Sequence, residues 1–162
     1  MIELVHGDLL KCKAEALVNP VNCVGVMGKG LALQFRFTFP ANYRAYHDAC
    51  QHKQVILGHM FVFKTQYVIN PKFIINFPTK DHWIHESRIE YIHTGLIDLC
   101  KIITQFNIQS IAVPRLGCGL GGLQWSAVKP LILDILGNLS KVTIYLFEPT
   151  TKHSHSGKQS NN

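Results

Sequence analysis

The sequence predicts an α/β fold: a three-layer α/β/α sandwich around a mixed, mostly parallel sheet. Two observations carry that expectation. Short β-rich runs alternate with amphipathic helical stretches along nearly the whole chain, the pattern of strands covered by helices on both faces. Two glycine-rich turns each follow a strand-like run and lead into a helix-like one, which is where α/β sheets place their ligands. The chain has 162 residues, 47% hydrophobic and 16% charged, which suits one well-filled core and argues against disorder.

In chain order, residues 2–5 and 16–19 read as short strands separated by a turn at Gly7-Asp8. Residues 30–37 are rich in Leu, Ala, Gln and Phe and read as a short helix that stops before Pro40. Residues 42–50 form a second helix with Asn42 as its cap. The β-branched and aromatic runs 59–64, 67–70 and 73–77 read as strands, the first two pairing as a hairpin. Residues 87–106 are the longest helix, with Ile89, Ile92, Leu96, Leu99, Ile103 and Phe106 recurring at steps of three and four. A buried strand at 110–114 follows, then a helix at 126–136 that tolerates Pro130 only in its first turn, then a last strand at 142–147. Residues 1–149 are expected to form the domain. From Thr150 to Asn162 the chain is polar and lacks an apolar anchor, as in a disordered tail or the start of a linker.

Several classes are excluded. No apolar run approaches the ~20 residues that cross a bilayer, and the N-terminus lacks the features of a secretory signal, so a cytoplasmic protein without a membrane is expected. Five cysteines without a C-x-x-C pair fit neither a zinc ribbon nor a disulfide framework. Neither a metal nor a cofactor is called for. A net charge of +6 and a pI near 9.1 permit an anionic partner such as nucleic acid without requiring one.

The first glycine turn runs Asn19-Pro20-Val21-Asn22-Cys23-Val24-Gly25-Val26-Met27-Gly28-Lys29-Gly30-Leu31-Ala32. Its glycines let the backbone approach a diphosphate, and the N–H groups at the following helix start favour negative charge. Asn22 can donate and accept, which suits ribose hydroxyls. The second runs Pro114-Arg115-Leu116-Gly117-Cys118-Gly119-Leu120-Gly121-Gly122-Leu123-Gln124-Trp125, with four glycines in six residues, a loop able to close on a phosphate from the other side. The first turn is not a Walker loop, because no Lys-Ser/Thr follows its second glycine.

Gly7-Asp8-Leu9, Val18-Asn19-Pro20-Val21-Asn22, Gly28-Lys29-Gly30-Leu31-Ala32 and Gly117-Cys118-Gly119-Leu120-Gly121-Gly122 together resemble the macrodomain signature in order and spacing. Within that family, the two turns and Phe77-Pro78-Thr79-Lys80 look most like the DarG branch of DNA ADP-ribosyl glycohydrolases, to which the eukaryotic terminal ADP-ribose protein glycohydrolases are related. The resemblance implies that ADP-ribose is bound and that ADP-ribose is removed from thymidine in DNA, in an antitoxin opposed to a cognate DNA ADP-ribosyltransferase toxin. It implies that Asp8 and Leu9 meet the adenine. Asn19, Asn22, Gly28, Lys29, Gly30 and Leu31 would line one side of the diphosphate and distal ribose. Pro114, Gly117, Cys118, Gly119, Leu120, Gly121 and Gly122 would line the other. Phe147 either stacks on adenine or is core.

By position alone Lys80 is one solvated lysine among many; the resemblance implies that it is catalytic, with Asn22 beside the scissile bond. Charged, such an amine can protonate a leaving atom; neutral, it can attack an opened C1″ aldehyde to give an imine. The eukaryotic relatives carry an aspartate in the second glycine loop where this chain has Gly121, which points to a mechanism using a single lysine. His82 and His85 flank Trp83 without the further ligands a metal needs, so a substrate-facing or surface loop is expected. Trp83, Lys72 and Arg88 are candidates to contact a DNA strand, against the plain alternative that the Trp is partly buried. Two other functions remain open: hydrolysis of protein-linked ADP-ribose or ADP-ribose 1″-phosphate in the same pocket, and a module that binds ADP-ribose without cleaving it.

Overall fold

In the computed structural model, which describes residues 1–150, six strands form one sheet in the order β1-β6-β5-β2-β4-β3. The strands are β1 (Ile2–Val5), β2 (Ala16–Val21), β3 (Phe61–Lys64), β4 (Phe73–Pro78), β5 (Ser110–Val113) and β6 (Thr143–Phe147). All neighbours are parallel except the edge pair β3 and β4. Helices α1 (Gly30–Thr38) and α2 (Pro40–Gln51) cover one face, and α3 (Ile89–Gln105) and α4 (Trp125–Leu136) the other. This is the expected three-layer sandwich.

Alternation along the central strands explains the layering, because successive side chains point to opposite faces. In β2, Ala16 and Val18 pack among Ile92, Leu96 and Leu99 of α3 and Val128 and Ile132 of α4. Leu17 packs with Phe35 and Phe39 on the opposite face, and Val21 with Met27 and Tyr46. A strand buried on both sides is mostly apolar on both faces, which is why the central runs carry no regular hydrophobic–polar alternation; Asn19 and Asn76 are the buried exceptions in β2 and β4.

The differences from the sequence reading each have a physical cause. The run 67–70 is not a strand. β3 pairs directly with β4, Phe61 opposite Asn76 through Lys64 opposite Phe73, so 67–70 falls in the connecting loop. There Thr65 Oγ1 donates to the Pro71 carbonyl at 2.6 Å, and Lys72 Nζ donates to the Tyr67 and Val68 carbonyls at 2.5 and 2.6 Å. Asn42 is not a cap. Pro40 starts α2, and Asn42 turns inward, wholly buried, to exchange hydrogen bonds with Asn76 of β4 at 2.8 and 3.2 Å. Pro130 is the sixth residue of α4 and lies beyond its first turn; it and Ser126, whose carbonyl loses its helical donor, are both exposed to water. β2 runs on through Pro20 to Val21. The expected tail, apart from Thr150, lies outside the described residues.

Helix α3 crosses β4 where Gly95 meets Phe77: a Cβ at position 95 would lie 2.4 Å from the fully buried Phe77 ring. Gly95→Ala should therefore lower stability, since overpacking of about 1–3 kcal/mol exceeds the ~1 kcal/mol returned by removing a helical glycine. Denaturant midpoints measure this, and a higher midpoint for the variant would contradict the packing.

Candidate active site

Because β1, β6, β5, β2 and β4 are parallel, their carboxyl ends share one edge of the sheet, and all five following loops leave from it. At that edge β2 and β5 part company. They pair only at Ala16 with Ile111 and Leu17 with Ala112, whereas β2 stays paired with β4 through Val21 and Pro78. Pro20, which can give no ladder hydrogen bond, lies in the stretch of β2 free of β5. The first glycine turn follows β2 and the second follows β5, so one stands on each side of the split.

Between them runs the segment that carries Lys80. The Thr79 N–H donates to the Val21 carbonyl at 2.9 Å, and the Cys23 N–H donates to the Asp81 carbonyl at 3.1 Å, tying the segment to the first turn. The buried Ser87 hydroxyl donates to the Thr79 carbonyl, and the Ser87 N–H donates to the Gly121 carbonyl at 2.9 Å, tying it to the second. The turns also approach each other, since a Cβ on Gly30 would lie 3.7 Å from Leu120. Lys80 is half-buried and its Nζ donates to the Trp83 carbonyl at 3.2 Å.

Backbone donors are plentiful here. Helix α1 has no side-chain cap; its first bond is Leu33 N–H to the Lys29 carbonyl at 3.3 Å, and the Gly30, Leu31 and Ala32 N–H groups have no partner among the described residues. The same holds for Gly119, Leu120 and Gly121. Two sets of open N–H groups flanking a cleft suit a diphosphate.

The cleft continues into an open cavity of about 440 Å³, lined by Asp8, Leu9, Leu31, Pro114 and Phe147 among others. Asp8 caps the short turn at Leu9–Lys11, accepting the Leu10 N–H at 3.0 Å, so the turn-aspartate reading and a place at the cavity hold together. Phe147 is likewise both core and lining, half-buried against the cluster around Phe35. Gln34 and Arg115 also line this cavity and went unnoticed in the sequence. Arg115 carried a signal, a basic residue between a strand end and a glycine loop; Gln34 carried none, one exposed helical position among several. Ser87 was missed too, read only as the start of a helix.

Two asparagines differ from expectation. Asn19 is wholly buried beneath the cleft: its Nδ2 donates to Asn76 Oδ1 at 3.1 Å and approaches the Met27 sulfur at 3.8 Å, so it supports the floor and is not exposed to a ligand. Asn22 holds its own loop. Its Oδ1 accepts the Val24 N–H at 3.0 Å and the Val26 N–H at 3.4 Å, with the Tyr46 hydroxyl 2.9 Å away, and its Nδ2 donates to the Val26 carbonyl at 2.8 Å. The acceptor half of that amide is thus used up, and one N–H remains for anything else. Lys72 is a further correction. It precedes β4 at the opposite edge of the sheet, roughly 20 Å from Thr79 at 3.3 Å per strand residue, and cannot share the mouth with Trp83.

All five cysteines are free. Burial, with smaller contributions from Cys50 and Asp81, pushes the Cys23 thiol up from 9.0 to about 11, and burial also raises Cys50, Cys100 and Cys118. Burial thus disfavours the thiolate form in all four, which weakens them as nucleophiles. Among the described residues no three His, Cys, Asp or Glu side chains gather as a metal site, and no helix is long and apolar enough to cross a membrane.

The chain belongs to the macrodomain family: the Macro domain family profile matches residues 18–132. It is 50% identical over 149 residues to a DNA ADP-ribosyl glycohydrolase of Thermus aquaticus, covering 92% of this chain and 41% of that protein. The solved macrodomain of Mycobacterium tuberculosis DarG is 49% identical and superposes with a TM-score of 0.91, over 93% of this chain and 99% of that one. A DNA ADP-ribosyl transferase–DNA ADP-ribosyl glycohydrolase fusion protein of Thermosipho africanus is 37% identical over 90% of this chain and 42% of its own length. A solved Thermosipho africanus DarTG in complex with ADP-ribose superposes with a TM-score of 0.83 at 35% identity, over 93% of this chain and 42% of that one. This chain therefore spans about two fifths of the length of the curated DNA-acting relatives it matches.

Gly121 leaves no room for a side chain in the second turn. A Cβ there would lie 2.5 Å from the Gly117 carbonyl oxygen, a backbone atom, so any side chain requires the loop to shift. At Gly119 a Cβ meets nothing within 4 Å. Gly121→Ala should lower stability by about 1–3 kcal/mol while Gly119→Ala stays within ~0.5 kcal/mol, read from denaturant midpoints; equal effects would contradict the loop geometry. In the same cleft, Cys23 should react with iodoacetamide at pH 8 at least tenfold more slowly than in the unfolded chain. Equal rates would mean that this thiol is not desolvated.

Proposed function

We propose that the protein is an ADP-ribosyl glycohydrolase that releases ADP-ribose from thymidine bases in DNA, as an antitoxin to a DNA ADP-ribosyltransferase in the cytoplasm. One observation carries the reading: the Lys80 segment is hydrogen-bonded to both glycine turns at once, through Val21 and Cys23 on one side and Gly121 on the other. The backbone that carries Lys80 is thereby tied to both turns, which supports an amine within reach of a ligand held between them. The similarity to DNA-acting relatives supports DNA as the carrier of the modification.

In this reading the adenine enters the cavity at Asp8, Leu9 and Phe147, and the diphosphate lies across the open N–H groups of Gly30, Leu31 and Ala32 and of Gly119, Leu120 and Gly121. Gly28, Lys29, Pro114, Gly117, Cys118 and Gly122 shape the two walls. Fixed backbone dipoles stabilise the ligand without reorganising. The distal ribose then reaches Lys80, with Asn22 shaping the turn beneath it and offering its remaining N–H. Lys80 either protonates the thymine leaving atom as the C1″–N bond breaks and water adds to C1″, or, neutral, adds to C1″ of the ring-opened sugar and displaces protonated thymine to leave an imine that water hydrolyses to ADP-ribose and the free amine. Borohydride distinguishes the two, since only the imine is trapped on Lys80.

The test offers the protein an ADP-ribosylated oligonucleotide and an ADP-ribosylated protein side by side. ADP-ribose should be released from the DNA, and Lys80→Ala should lower that rate by roughly 100-fold or more while still binding ADP-ribose. Wild-type rates in Lys80→Ala would remove the mechanism. Release from the protein substrate alone would move the activity to protein-linked ADP-ribose, and binding without release from either would make the domain a reader.

A further inference from the structure

Beside Lys80 stands a feature that the cleavage step does not use. Residues 81–86 form a tight turn whose side chains hold it in one shape. Asp81 Oδ1 accepts the His82 N–H at 2.8 Å and faces His85 Nδ1 at 3.0 Å, and His82 Nδ1 accepts the Ile84 N–H at 3.1 Å. The His85 hydrogen bond holds the Asp81 carboxyl below its usual range. What this turn presents is Trp83, 54% exposed, its ring centroid 5.2 Å from that of His82 and tilted by 37°. The Trp83 carbonyl is the acceptor of the Lys80 amine. An indole left in water on a braced turn, on a residue whose carbonyl accepts the Lys80 amine, has a ligand's task more readily than a packing one.

Resting on the glycohydrolase reading, we propose that Trp83, backed by His82, is a stacking platform for the nucleobase next to the modified thymidine in a single DNA strand. Three features select that occupant. The residue that bears the platform accepts the Lys80 amine at its own carbonyl, so in this reading what the ring meets is the group attached to ADP-ribose and not ADP-ribose itself. Its flat face accepts any base, and stacking on an aromatic side chain is how proteins hold unpaired strands without reading sequence. Arg88, exposed at the start of α3, and the chain's net charge of +6 suit a phosphate backbone running past, whereas the carboxylates of Asp81 and Glu86 leave the turn itself without a basic lining. Trp83 thus makes a strand a better substrate than the bare modified nucleoside.

The test compares KM and kcat for three substrates: an ADP-ribosylated single-stranded oligonucleotide, the same oligonucleotide with abasic neighbours on both sides, and ADP-ribosyl-thymidine. Wild type should favour the first by roughly tenfold in KM over the other two. Trp83→Ala should erase that advantage through KM, and Trp83→Phe should restore most of it. Equal losses on all three substrates in Trp83→Ala would mean that the residue acts only through Lys80, and a wild-type enzyme indifferent to abasic neighbours would mean that no base is held; either overturns the platform. Should wild type cleave none of the three, the DNA reading itself fails, an outcome distinct from an active enzyme that ignores flanking bases.

Discussion

The structure depends on the parting of two parallel strands. β2 and β5 share two register pairs and then separate, while their other neighbours keep them in the sheet. The backbone beyond the split loses its ladder partner, and donors and acceptors that cannot be left dry must find other satisfaction. Beyond the strands, the segment 81–87 bonds to Cys23 of one turn and Gly121 of the other, and two sets of N–H groups have no partner among the described residues. The same parting of strands that leaves backbone groups to be satisfied elsewhere thus supplies the open N–H groups that the proposed binding of a diphosphate needs.

Around that split, rigidity comes from polar side chains that serve the backbone. Asn22 and Tyr46 fix the first turn, the hydroxyl of Tyr46 donating to the Asn22 carbonyl at 2.7 Å and lying 2.9 Å from its Oδ1. Asn19, Asn42 and Asn76 form a buried amide network beneath it, in which Asn19 Oδ1 has no partner among the described residues. Burying amides is tolerated only when their hydrogen bonds are met, so a nearly satisfied network of this kind selects one arrangement of β2, β4 and α2. Preorganisation of this sort holds the first turn, and with it the start of α1, in one arrangement.

The fold was legible because its signals are local and redundant. The 3.6-residue spacing in α3 and the β-branched runs of β4, β5 and β6 report burial directly. The two glycine turns were legible for a similar reason, since few structural loops need glycine so densely. What could not be read was which partner a polar group chooses. Asn42 fits a helix cap by type, and only the presence of Asn76 across the layer turns it inward. The run 67–70 has strand composition but no free edge to pair with, because β4 already occupies the neighbouring place. Lys72 and Trp83 looked like neighbours only because the chain direction of β4, and hence which edge each occupies, is a tertiary fact.

The central claim is that the two turns and the Lys80 segment close on one ligand. Backbone amide resonances followed during titration with ADP-ribose test it most directly. Joint shifts of Gly30–Ala32, Gly119–Gly121 and Lys80, saturating with a single dissociation constant, are the expected result; shifts confined to one turn, or two separate constants, would contradict it.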